Sequence, residues 1–156
     1  SLMGKVLKDT CRQMWKTVVT IMSIMAMAKI MSHSGMIAEI AGMMVALTGS
    51  FYPAAAPFVG AIGTFVTGSG TSANVLFGGL QVETAGSLGL DPSWLAGANT
   101  VGATIGKMIS PQSIAIGTAA TASVGSESKI LRKVIKYCVL FIIIAGLVAY
   151  AGSRFA

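Results

Sequence analysis

Two stretches rich in glycine, hydroxyl and amide side chains, Gly63 to Gln81 (GTFVTGSGTSANVLFGGLQ) and Asn99 to Gly117 (NTVGATIGKMISPQSIAIG), interrupt a chain otherwise apolar enough to live in lipid. The sequence is 54% hydrophobic and only 10% charged, with mean hydropathy +0.78, whereas a soluble domain carries about 25% charged residues. In a bilayer, backbone leaves the helix only where protein or a wet cavity satisfies its N–H and C=O groups. The expected fold is an all-α integral membrane protein, and the two interruptions are where a ligand is expected.

Apolar runs define the spans. Tyr137 to Ser153 is uncharged and close to the length that a hydrocarbon core of about 30 Å demands at about 1.5 Å per residue, which predicts a transmembrane helix over 130–153. A second is predicted over 13–31, with Trp15 and Lys16 suited to one interface and Lys29 placed to snorkel at the other. No small-residue cleavage site follows this run, which argues against a secretory signal peptide.

Charge falls in two blocks. Lys5, Lys8, Arg12 and Lys16 form one, Lys129, Arg132, Lys133 and Lys136 the other, and no Lys or Arg lies between Lys29 and Lys107. Both blocks read as cytoplasmic by the positive-inside rule. Short clusters flanking apolar spans do not make the extended cationic face that nucleic-acid phosphates need. No nucleic-acid partner is expected despite the net charge of +6.

If both blocks are inside, the chain between them makes one net crossing. Residues 36–48, short and containing Glu39, read as a half-span or interfacial helix. Residues 53–88 form two apolar arms joined by Thr67 to Ser72, each too short to span, which predicts a re-entrant hairpin. Residues 93–124, opened by Asp91-Pro92-Ser93 as a helix start and interrupted between Gly102 and Gln112, are left as the crossing, a broken helix. The result is a single membrane domain over 1–156, multi-pass, with the last helix running outward.

The interruptions carry the chemistry. In the hairpin, Ser69, Thr71, Ser72 and Asn74 offer hydroxyl and amide groups, and Gly70 lets backbone approach a ligand. The second arm begins at the tip, so its N-terminal N–H groups and positive dipole end favour an anion. In the broken helix, Asn99, Thr100, Ser110 and Gln112 repeat that set around Lys107, and Pro111 removes a donor. An intramembrane Lys is costly and functional by default, with a carboxylate as its natural partner. Gly, Ser and Thr also serve plain helix packing in membranes; it is the pairing of two such stretches, with Asn in both, that favours a binding site.

His33, Glu39 and Glu83 are the candidates for coupling a proton, against the alternatives of a helix-end histidine and solvated interfacial carboxylates. Cys11 and Cys138 lack metal-ligand or CxxC spacing and read as apolar fillers. One His and five acidic residues, with no Ser-His-Asp or metal-ligand spacing, give no catalytic constellation. No enzyme activity, metal or cofactor is expected.

The strings GTFVTGSGTSANVLFGGLQ and GANTVGATIGKMISPQSIAIG resemble the C-terminal signature regions of the lactate permease family, and the likeness extends over most of the chain. The resemblance implies proton-coupled secondary uptake of L-lactate and related 2-hydroxy monocarboxylates such as D-lactate and glycolate across the bacterial inner (plasma) membrane. It also implies one half of an inverted-repeat, ion-transporter-type fold. On that resemblance, the hairpin-tip and broken-helix residues named above line the substrate.

Family members are several times longer. The chain is therefore expected to be a fragment or domain of a larger permease, one part of a split permease, or a half-unit that pairs with a second copy of itself, needing the missing N-terminal half or that copy because such carriers bind substrate between two repeats. An anion channel or pore subunit and a non-transporting structural membrane subunit are the alternatives.

Overall fold

A computed structural model describes residues 2–123 and 125–155, which form helices and turns with no strand among them. Ser1, Ala156 and Val124, the last marking the expected end of the broken helix, lie outside the described residues. The helices are α1 (Leu2–His33), α2 (Met36–Thr48), α3 (Tyr52–Thr67), α4 (Gly70–Leu88), α5 (Pro92–Gly106), α6 (Pro111–Ala120) and α7 (Glu127–Gly152). A short 3-10 helix, Gly49–Phe51, joins α2 to α3.

Among the described residues two stretches are long and apolar enough to cross a membrane, Met36–Thr67 and Glu127–Gly152; α1, which holds the span expected at 13–31, is not one of them. Of the two, Met36–Thr67 was expected to be two separate pieces. Helical turns persist through the junction because Gly49 N–H donates to the Val45 carbonyl and Tyr52 N–H to the Gly49 carbonyl. Along α7 the large apolar side chains stay exposed, with Phe141 at 45% and Leu147 at 65%, as on a surface meant for lipid or another apolar partner rather than water. α1 begins well before the span read at 13–31. Its 32 residues make a rod of about 48 Å, longer than the hydrocarbon core of about 30 Å, so there is length for its basic N-terminal turns to stand outside.

The centre of the molecule is the pairing of α3 with α5. A methyl group added at Gly60 would run into Asn99 and Ala103, at Gly102 into Pro57, and at Gly106 into Ala61. Since the contacting numbers rise together, α3 and α5 run parallel, with backbones touching along a Gly102–Gly106 stripe. Small residues four apart permit such an approach between membrane helices. α4 returns antiparallel beside both, α2 and α1 cover its other side, and α7 closes against α3 and α5. There Trp94 Nε1 donates to the Ala149 carbonyl at 2.9 Å, and Gly146 lies against Ala54.

Local signals end the helices where they should. Gly68 takes φ 71° at the end of α3, and extended Ser69 caps α4 by accepting from Ser72 N–H at 3.3 Å. The hairpin tip is thus only Gly68-Ser69; Gly70, Thr71 and Ser72, read from sequence as linker, form the first turn of α4. At 19 residues, or about 28 Å, α4 exceeds the short apolar arm expected for it. Asp91 caps α5, accepting from Ser93 N–H at 2.8 Å, with Pro92 opening the helix. The break after α5 is shorter than Gly102 to Gln112: helix persists to Gly106 and resumes at Pro111, with 3-10-type bonds from Met108, Ile109 and Ser110 N–H between.

Candidate functional site

The parallel register of α3 and α5 sets Gly106, the end of α5, against Ala61, about 9 Å short of the end of α3, so the hairpin tip lies level with the first turn of α6 just past the helix break. Gly68 at the tip lies against the Gln112 side chain in the first turn of α6. Two helix C-termini (α3, α5) and two N-termini (α4, α6) therefore sit close together. The N-termini offer N–H groups to an anion, the C-termini carbonyls to a cation.

Beneath the tip runs a chain of buried side-chain hydrogen bonds through three helices. The Tyr52 hydroxyl on α3 donates to Gln81 Oε1 at 3.0 Å. Gln81 Nε2 on α4 donates to Asn99 Oδ1 on α5 at 3.1 Å, and Asn99 Nδ2 donates back to Asn74 Oδ1 on α4 at 2.9 Å. Tyr52 and Gln81 are wholly buried and Asn99 is 1% exposed. Asn74 is half-buried, and its own NH2 makes no hydrogen bond among the described residues. Asn74 and Gln81 lie seven residues apart, two turns on one face of α4, so Asn99 spans both. Thr84, one turn beyond Gln81, lies beside the Tyr52 phenol but its buried hydroxyl makes no hydrogen bond of its own.

Of the residues singled out from sequence, Asn74 and Asn99 bond directly, and Gln112 meets the tip. Ser69 is occupied in capping α4. Ser72 and Ser110 are buried, the Ser110 hydroxyl without a partner. Thr71 and Lys107 are exposed, Lys107 at the C-terminal end of α5 where a cation suits the helix dipole. Thr100 is turned away, exposed and bonded to the Ala96 carbonyl of its own helix at 2.9 Å. His33, Glu39 and Glu83 are all exposed; His33 Nδ1 lies 2.9 Å from the Lys29 carbonyl at the end of α1. None of the three hydrogen-bonds to the buried chain among the described residues.

Tyr52, Gln81 and Thr84 were not singled out from sequence. The two-turn spacing of Asn74 and Gln81 was a usable signal, one amide stripe on an otherwise apolar helix. Tyr52 gave none, since an aromatic near a helix start is unremarked in any membrane chain.

Among the described residues no group of His, Cys, Asp or Glu is placed to hold a metal. A cavity of about 530 Å³ lies between α5 and α7, bounded by Trp94, Ala98, Val101, Ile105, Phe141 and Val148. Its apolar walls suit acyl chains or a helix, not a carboxylate.

A family model described as L-lactate permease matches residues 1–154. An L-lactate permease of Bacillus subtilis (strain 168) is 42% identical over 147 residues, covering 94% of this chain and 26% of the relative. The glycolate permease GlcA of Escherichia coli (strain K12) is 42% identical over 131 residues, 84% of this chain and 23% of that protein. An L-lactate permease of the same organism is 40% identical over 140 residues, covering 90% and 25%. The chain thus spans about a quarter of the length of these relatives. No solved structure matches.

Proposed function

The chain belongs to the L-lactate permease family, a family of transporters rather than enzymes, and from that premise we propose that it forms part of the transport path of a secondary carrier for lactate, glycolate and related 2-hydroxy monocarboxylates. The reading places the chain in a bacterial plasma membrane, crossing it several times, as part of one repeat of an inverted-repeat permease, of whose relatives it spans about a quarter. In that reading the turn joining α3 to α4 and the break between α5 and α6 face one another at the substrate.

The single observation that carries this reading is the meeting of the two polar interruptions, Gly68 against Gln112 and Asn74 hydrogen-bonded to Asn99. Residues more than twenty positions apart in sequence are gathered where four helix ends converge. In the proposed site the substrate carboxylate takes N–H groups from the first turns of α4 and α6 and the Asn74 amide. Thr71 and Gln112 supply further polar contacts, and Lys107 brings positive charge at the rim. Exposure of Thr71 and Lys107 fits a site completed by the rest of a longer permease, since such carriers bind between two repeats. Proton coupling belongs to the same reading, with His33, Glu39 and Glu83 as the residues to test.

The experiment is uptake of labelled lactate into proteoliposomes holding the intact permease that contains these residues, with and without an inward proton gradient. Saturable uptake stimulated by the gradient is expected. Flux proportional to concentration without saturation would make the protein a channel, and no flux would leave it a structural subunit; either outcome overturns the proposal.

A further inference from the structure

The buried chain Tyr52–Gln81–Asn99–Asn74 has a direction. Each carboxamide has a donor end and an acceptor end, so each link fixes the next: Tyr52 O–H into Gln81 Oε1, Gln81 N–H into Asn99 Oδ1, Asn99 N–H into Asn74 Oδ1. The last amide thereby turns its Oδ1 inward to Asn99, and Asn74, half-buried just past the hairpin tip, presents its NH2 donors on the opposite side. Reversing every amide would keep three bonds and present a carbonyl instead, but it would make the Tyr52 oxygen the acceptor of Gln81 N–H and strand the buried phenol O–H without an acceptor in the chain. The donor face suits a carboxylate; the carbonyl face repels one.

We infer that Tyr52 and Gln81, neither of which reaches the tip, are positioning residues of the site: they set the amide polarity of Asn99 and so make Asn74 a hydrogen-bond donor to the substrate carboxylate. The inference rests on the transport reading. The sense starts at Tyr52, whose phenol O–H is donated to Gln81 and leaves that amide only its N–H for Asn99. Burial enforces the sequence, because an unpaired carboxamide in the core costs far more than one in water. α3 and α5 carry no charged residue, and the only charges on α2 and α4, Glu39 and Glu83, are exposed, as are Lys29 and His33 on α1. No ionised partner among them is hydrogen-bonded into the chain.

The test is Gln81→Glu against Gln81→Met, in the intact permease that contains these residues. An ionised carboxyl at this position accepts from Tyr52 but also demands a donor from Asn99, which turns Asn99 over and leaves Asn74 showing its carbonyl. A protonated carboxyl donates O–H to Asn99 Oδ1 and restores the native sense. Met removes the link without imposing either sense. Equilibrium binding of labelled lactate, referred at each pH to the unsubstituted permease, should fall at least tenfold for Gln81→Glu at alkaline pH, the size of one hydrogen bond to a charged group. The loss should reverse as pH falls. Gln81→Met should lose only about twofold, as expected when half the molecules hold the competent sense.

A packing role for Gln81 gives the opposite order, with the isosteric Glu milder than Met, and no recovery with pH; either result overturns the inference. Asn99→Asp asks the same question one link along, with the same pH signature, should Gln81→Glu not reach the membrane. If the unsubstituted permease binds no lactate, the transport reading itself falls and takes this one with it. If it binds and the variants follow the packing order, only the polarity relay falls.

Discussion

A single methyl group at Gly102 tests whether the α3–α5 contact is as close as described, because its cost is set by backbone that has no rotamer to yield. The added Cβ would fall within the Pro57 backbone. One turn on, a Cβ at Gly106 would lie 2.6 Å from Ala61 Cα, where ordinary contact starts at 3.4 Å, a shortfall of about 0.8 Å. The helices have to part by at least that much at Gly102. A gap of about 0.5–1 Å forfeits a quarter to a half of each dispersion contact, and overpacking of this kind costs about 1–3 kcal/mol. Gly97, on the same helix, has nothing within 4 Å of an added Cβ; there, Ala gains about 0.5–1 kcal/mol from helix propensity alone. The two variants should therefore differ by about 3 kcal/mol. Denaturant unfolding of the intact permease in detergent, followed by circular dichroism, measures that difference. Lactate uptake should fall with Gly102→Ala as well, because Asn99 lies one turn away on the same face and its 2.9 and 3.1 Å bonds do not survive helix separation. Equal stability of Gly102→Ala and Gly97→Ala would refute the argument.

Lys107→Ala should leave stability within about 0.5 kcal/mol, since Lys107 is exposed, but abolish lactate binding; undiminished affinity counts against its place at the site. Ser69→Ala removes the side-chain cap of α4 and should cost about 1 kcal/mol, with faster amide exchange confined to residues 70–73; uniform exchange along α4 would contradict the capping role. Trp94→Phe removes the bond to the Ala149 carbonyl and should lower the unfolding free energy by about 1–2 kcal/mol, with no change in the KM for lactate, because this contact ties α5 to α7 away from the tip.

Some helix ends were legible in the sequence because the signals that set them act over a few residues, although α1 begins eleven residues before the span read at 13–31. Gly68 with Ser69, Asp91 with Pro92, and Pro111 each end or open a helix where the local pattern places them. Where the reading missed, a neighbour one turn away decided: Ser69 captured Gly70 to Ser72 into α4, and the 3-10 turn at Gly49 carried α2 into α3. Of the site, the sequence yielded the two polar interruptions, their amides and a carboxylate as the partner expected of Lys107, and the resemblance narrowed that carboxylate to a 2-hydroxy acid.

It did not yield which of those side chains face one another. Thr100 and Asn99 are adjacent, equally polar and on one helix, yet one is turned outward to bond its own backbone and the other ties α5 to α4 by two buried side-chain bonds. Nothing within a few residues of either distinguishes them. The rotation of α5 about its axis is fixed by Gly102 and Gly106 seating on Pro57 and Ala61, some 45 positions earlier, and close packing converts that registry into the direction of every side chain on the helix. Composition and local chemistry thus determined that the chain is helical, apolar and twice interrupted. Only the crossing of α3 with α5 decided that Tyr52, Gln81, Asn99 and Asn74 form one connected chain, because hydrogen bonds between helices depend on distances that no local signal encodes.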